Sequence, residues 1–280
     1  MKNVKSICSL SASAMVVVMA LSGCRKDALD NDTTAAKNES KAEMYFNEIN
    51  DISDQVARTG TTGLRVSDAE MGILDGCATI TFDTSAATVA DPDTIVVDFG
   101  TGCVGNDGKT RSGVLRIIKT GQYFATGTVI TIIPEGYTVN GNQLAGYRRL
   151  TNTGTNASGQ PVFDVEVDAT LTLANGEGVI TWTANRTRTW LDGYTTPSIA
   201  SDDIFSVSGS SAGTKANGIS WTSEITSPLN IKRSCREVVS GTLTLTPEDR
   251  PVRTINYGNG DCDNTITVTI NGNSFDVNTN

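Results

Sequence analysis

Residues 163–183 run Phe163-Asp164-Val165-Glu166-Val167-Asp168-Ala169-Thr170-Leu171-Thr172-Leu173, then Ala174-Asn175-Gly176-Glu177-Gly178, then Val179-Ile180-Thr181-Trp182-Thr183. Apolar and polar side chains alternate on both flanks, which is the period of a strand with one buried face. Between them lies Asn-Gly, the strongest short hairpin signal because both residues accept positive φ. A second stretch repeats the pattern: Phe205-Ser206-Val207-Ser208 leads through Ala216-Asn217-Gly218 to Ile219-Ser220-Trp221-Thr222. Asn140-Gly141 and Asn271-Gly272 sit between further alternating runs. From about residue 76 onward the chain therefore reads as an all-β antiparallel meander of long hairpins. The expected architecture is a two-layer sandwich, with a single curved sheet covered by a helix as the alternative.

The same stretch predicts its own register. A four-residue loop, 175–178, sets Leu173 opposite Ile180, Leu171 opposite Trp182 and Phe163 opposite Trp190, with Asp164 and Glu166 on the other face. A three-residue loop instead pairs Asp164 with Arg188 and Glu166 with Arg186. Exposed cross-strand ion pairs contribute only about 0.2–1 kcal/mol each. A buried apolar side chain contributes roughly 1.5–3 kcal/mol, so the apolar register is expected.

Outward from the hairpins lie four cysteines, Cys77, Cys103, Cys235 and Cys262. Four cysteines allow three pairings. The chain itself suggests one, because each pair brackets the same block of cysteine, strand, loop, strand, glycine turn and cysteine. Similar blocks make similar local bridges, which predicts Cys77–Cys103 and Cys235–Cys262. Each closes a loop of about 26 residues, worth on the order of 3 kcal/mol in the chain-entropy account.

The amino terminus has a different grammar. Lys2 and Lys5 precede a short apolar stretch ending in Leu21-Ser22-Gly23-Cys24. A cationic start and an apolar run too short to span a bilayer make a secretory signal. Leu21-Ser22-Gly23-Cys24 resembles the lipobox of bacterial lipoproteins, which implies cleavage after Gly23 and lipid on Cys24. Lys26-Asp27 partly resembles the surface-export signal of Bacteroidetes lipoproteins, although Ala28 and Leu29 break its acidic run. Together with the cysteine blocks and the Phe, Asn-Gly, Trp hairpins, the chain over residues 76–280 resembles β-rich lipoproteins of the Bacteroidetes, a resemblance that brings no activity with it. The expected organisation is a signal peptide over 1–23, a flexible tether over 24–39, an amphipathic helix over 40–60 and a single disulfide-stapled β domain over 61–280. The helix rests on Ser40-Lys41-Ala42-Glu43, which has capping-box spacing, and on Tyr45, Ile49, Ile52 and Val56 at helical intervals. Its apolar stripe is expected to pack on the domain.

Composition narrows the functional classes. The formal charge of −9 becomes −11 once Lys2 and Lys5 leave with the signal, so nucleic acid is an unsuitable partner. There is no histidine, which excludes His-dependent hydrolases and the commonest metal ligand. No phosphate loop, dinucleotide fingerprint or nucleophile elbow occurs, and no cofactor, metal or catalytic residue is expected. Arg186, Arg188 and Trp190 share the face of Trp182, where they can contact a sugar or an anion, or else belong to the core. Asp164, Glu166 and Asp168 share the opposite face, as a cation or acid–base row or as a solvated surface. Asp107-Gly108 and Asp261-Cys262-Asp263-Asn264 suit turns better than calcium.

Three functions are compatible. The first is an envelope-anchored, non-catalytic binding or structural module that meets a glycan, an envelope polymer or a partner protein through a sheet face, with the membrane held through its lipid. The second is a carrier of lipid or another hydrophobe, which needs an apolar chamber. The third is an acid-dependent hydrolase such as a glycosidase, which needs two converging carboxylates.

Overall fold

The computed structural model describes residues 29–59, 74, 76–83, 92–196, 199–215 and 218–279. The signal peptide, the lipobox and Cys24 lie outside these residues. One helix, α1 (Thr34–Thr59), is followed by β1 (Thr79–Asp83), β2 (Asp93–Asp98), β3 (Cys103–Val104), β4 (Thr110–Lys119) and β5 (Val129–Val139). Then come β6 (Asn142–Thr155), β7 (Pro161–Leu173), β8 (Gly178–Asp192), β9 (Ile204–Lys215) and β10 (Ser220–Lys232). The chain closes with β11 (Glu237–Pro247), β12 (Arg253–Asn259), β13 (Thr265–Ile270) and β14 (Asn273–Asn278).

The predicted meander is present, but as one open antiparallel sheet rather than two packed layers. From β4 to β14 each strand pairs with its neighbour in sequence, β1 and β2 extend the other side, and short β3 pairs with β4. Asn140-Gly141 and Asn271-Gly272 form the expected two-residue turns, all four residues at positive φ, with Val139 paired to Asn142 and Ile270 to Asn273. Both predicted disulfides are formed, Cys77–Cys103 and Cys235–Cys262, each with a Cα separation of 5.4 Å.

The sheet is curled around α1. The helix packs on β4, β5, β6, β8 and β11, and the Ser40 hydroxyl meets Tyr257 of β12 at 3.2 Å. In a flat sheet β4 and β12 lie eight strand spacings apart, roughly 38 Å, whereas a helix with its side chains is only about 10–12 Å wide. The curl is written into the concave side. Gly146 and Gly209 occupy inward positions at φ +97° and +117°, and a Cβ there would meet the neighbouring strand's backbone oxygen of Asp168 or Asn185 at 2.2 or 2.3 Å. Glycine at such sites lets strands crowd together and bend. An ion pair between Asp107, ahead of β4, and Arg236, between β10 and β11, ties the two flanks at 3.1 Å.

Two expectations are corrected. The helix begins at Thr34, so residues 34–39 are helical and not part of a tether. Asp32 caps it, its Oδ1 accepting from the Thr34 amide at 2.9 Å, a role the sequence reading gave to Ser40. The apolar stripe packs on the domain as expected, with Tyr45, Ile49, Ile52 and Val56 buried, and the polar face is enclosed as well, since Asn38, Glu39, Asn50 and Asp54 are also buried. The second correction is to the register. Leu171 pairs with Ile180, Ala169 with Trp182 and Phe163 with Arg188. The loop has four residues, as expected, but spans Ala174 to Glu177 because Leu173 pairs with Gly178. The faces hold: Leu171 and Trp182 are both buried, diagonal rather than opposite, and Asp164 points outward.

Candidate functional site

The interior is polar where helix meets sheet. Strand alternation sends Trp182, Arg186, Arg188 and Trp190 inward from β8, and helical spacing presents carboxylates to them. Arg186 Nη2 donates to Glu39 at 3.4 Å and to Glu43, one turn on, at 3.2 Å. Arg188 Nη2 donates to Asp54 at 2.6 Å. Arg233 reaches Asp51 at 2.9 Å, Asp54 at 3.1 Å and Asp203 at 2.8 Å. Arg111 of β4 pairs with Glu48 at 3.0 Å and with Asp107 at 2.7 Å. Of the three residues singled out for ligand contact, Arg186 and Arg188 thus serve the helix, and the Trp190 ring lies tilted against Phe205 with centroids 4.9 Å apart.

Glu39 is fully enclosed. The indoles of Trp182 and Trp221 donate to its Oε2 at 3.0 and 2.8 Å. Ser223 donates to Oε1 at 3.0 Å, and Ser211 bonds the same oxygen. The repeat seen in sequence explains the geometry, since Trp182 and Trp221 both stand opposite Gly213 in register. A Cβ on Gly213 would lie 2.2 Å from the Trp221 ring.

Charge neighbours sort the acids. Burial alone would raise the Asp54 carboxyl, but Arg188 and Arg233 bring it down to about 2. At Asp203 burial outweighs Arg58 and Arg233, and the carboxyl is pushed up to about 6. These shifts act in opposite directions on stability. The folded state holds Asp203's proton more tightly than the unfolded chain, so stability from this group rises as pH falls from about 6 toward 4. Asp54's contribution, on the order of 2 kcal/mol, is present above about pH 4 and lost as pH falls toward 2. Urea midpoints are expected to peak between these limits and to drop steeply below pH 4. An Asp203→Asn variant should flatten the upper limb and keep the acid limb, and a wild-type midpoint that falls steadily from pH 7 to 4 contradicts the assignment.

The outer face carries the opposite chemistry. Asp164, Glu166 and Asp168 lie there; Glu166 accepts from Tyr147 at 2.5 Å and from Arg149 at 3.1 Å, an exposed pairing on the sheet surface. Asp107 and Asp263 accept from the amides two residues on, at 3.2 and 2.9 Å, as turn residues do. Farther along, over β8 to β11, the outward side chains, Glu224 apart, become short. One cross-strand row is Thr183, Ala212, Thr222 and Thr246, and the next is Asn185, Ser210, Glu224 and Thr244. They form the floor of a trough of about 390 Å³. It runs into a wider recess of about 910 Å³ bounded by Thr214, Ser220, Glu248 and Arg250. Five of the eight side chains in those rows carry hydroxyls, with Thr222 and Thr246 about 4.8 Å apart across strands and Thr244 and Thr246 about 6.7 Å apart along one. Each is both donor and acceptor. The signal for this surface in the sequence is Thr and Ser at outward positions of four consecutive strands. Beside α1, the cleft lined by Met44, Asn47, Ile231 and Ile266 has a volume of only about 30 Å³, enough for about one water.

Fold and surfaces together define a class: an open antiparallel meander threaded by a charged helix, with a hydroxyl-lined trough outside. Comparison with family models, with curated proteins and with solved structures finds no match to this chain.

Proposed function

We propose that this protein is an envelope lipoprotein, anchored through lipid on Cys24, whose outer sheet face holds a neutral, hydroxyl-rich polymer, a glycan in chemical class. The observation that carries the reading is the trough over β8 to β11. Short hydroxyl side chains leave a recess where long charged ones usually cover a sheet, and they present paired donors and acceptors to a polymer bearing the same groups. A carrier needs an apolar chamber, and the space inside this sheet holds α1 with its arginine–carboxylate pairs. A hydrolase of the glycosidase kind needs an accessible acid pair, and Glu39, Glu43, Asp51 and Asp54 are buried against arginines.

The test is retention of the mature chain on insoluble and arrayed envelope polysaccharides, comparing wild type with Thr222→Lys and Thr244→Lys. Both changes are at outward positions and should leave the melting temperature within about 2 °C of wild type, as surface substitutions do. Binding should weaken at least tenfold. Equal retention of wild type and both variants rejects the trough, and no retention by any polysaccharide rejects the glycan. Anchoring is read separately, since Cys24→Ser should release the protein from membranes or leave an unprocessed precursor.

A further inference from the structure

Arg148 stands apart from the other interior arginines. It points inward from β6 and is 4% exposed, yet it has no hydrogen bond or ion pair among the described residues, and its Nε is buried without an acceptor. Arg186 is in a related condition: Nη2 serves Glu39 and Glu43, while Nε and Nη1 are buried and unpartnered. Arg188 uses Nη2 on Asp54, and its Nη1 is also left over. Buried polar groups without a protein partner are few in native structures, and each calls for an account such as a bound water or ion.

The register gathers these groups. Arg148 pairs with Val167, and Val167 with Ala184. Arg186 is the next inward residue on β8 and Arg188 the one after. Val165, Val167 and Ala184, all buried and short, lie between Arg148 and Arg186, while Phe163 stands opposite Arg188. The separation of Arg148 from Arg186, two strands across and one residue pair along, is roughly 12 Å at Cα, a span that two extended arginine side chains bridge. The helix acids whose charges act most on Arg148 are Glu43, Asp54 and Asp51. Glu43 is engaged by Arg186, Asp54 by Arg188 and Arg233, and Asp51 by Arg233.

We infer that a small inorganic anion of the halide class is bound inside the protein between α1 and β6 to β8, held by Arg148 with the spare N–H groups of Arg186. The unmatched groups on these two arginines are donors. A water molecule would accept from one or two of them and bring two further donors of its own; an anion only accepts. Arg148's own charge points the same way, because burial beside Arg188 lowers its pKa to about 10 despite the acids nearby.

Bromide is the probe. Crystals of the wild-type protein grown or soaked in sodium bromide should show an anomalous peak bounded by Arg148 and Arg186. In solution, raising bromide about a hundredfold at constant ionic strength, with gluconate as the balancing anion, should lift the melting temperature by roughly 5 °C. An Arg148→Met variant should lose that lift while staying folded, since it removes an unpaired buried charge rather than half of a pair. An ordered water in place of the peak, or an unchanged bromide response in Arg148→Met, overturns the inference. Should the variant fail to fold, the wild-type anomalous map decides.

Discussion

Glu39→Ala destabilises the folded chain by about 3–5 kcal/mol, the cost expected when one member of a buried charge pair is removed and the other is left behind. The size follows from what stays in place. Arg186 keeps Glu43 but loses its second carboxylate, and the indole N–H groups of Trp182 and Trp221 and the hydroxyls of Ser211 and Ser223 lose their common acceptor. Each orphaned buried donor costs about 1–3 kcal/mol before the structure relaxes. The variant also leaves a carboxylate-shaped hole ringed by donors, so formate should restore part of the loss where a neutral solute of equal size does not. The measurement is a urea midpoint with and without formate. A midpoint indistinguishable from wild type removes Glu39 from the centre of the fold.

Removal of the helix has the larger effect. A chain beginning at residue 60 should not fold cooperatively, although it keeps every strand and both disulfides. Without α1, Arg111, Arg186, Arg188 and Arg233 face one another across a concave sheet with most of their counter-charges gone, and Trp182 and Phe46 lose their stacked contact at 5.7 Å. An unneutralised charge in such a setting costs several kcal/mol, more than the 5–15 kcal/mol net stability of a typical domain can absorb four times over. A synthetic peptide of residues 31–59 should restore the native near-ultraviolet spectrum. A truncated chain that unfolds cooperatively by itself makes the helix an accessory.

These two results concern the part of the molecule that was least visible in its sequence. Alternation in 163–190 separates the inward from the outward side chains of β7 and β8, and Asn-Gly marks hairpin turns, because both signals are local. Repeated cysteine blocks predict the bridges for the same reason. The register came out two residues away because apolar burial separates the two faces but is nearly blind to a slide of two, which keeps every side chain on its own face. Alternation likewise says that Arg186 and Arg188 share the core face of Trp182, and it is silent about what meets them. Their partners, Glu39 and Asp54, lie more than 130 residues away, the first in the expected tether over 24–39 and the second on the polar side of the expected helix over 40–60. A polar helix is read as exposed until its counter-charges are located. Of the candidate site, alternation along β8 puts Thr183 on the outer face, whereas the trough depends on four strands lying side by side in a given alignment.

The meander and the helix also impose an order of events on the chain. Each hairpin is closed by a few residues, so strand pairing runs on local contacts and costs little loop entropy. The helix is committed to partners far away: the Ser40 hydroxyl meets Tyr257 across 217 residues and Glu39 meets Ser223 across 184. Those bonds can form only after β12 and β10 are in place, so docking of α1 belongs to the late, native side of the folding barrier. The carboxylates of α1 then act as a latch on a sheet already assembled. They set how slowly the protein comes apart far more than how quickly it comes together.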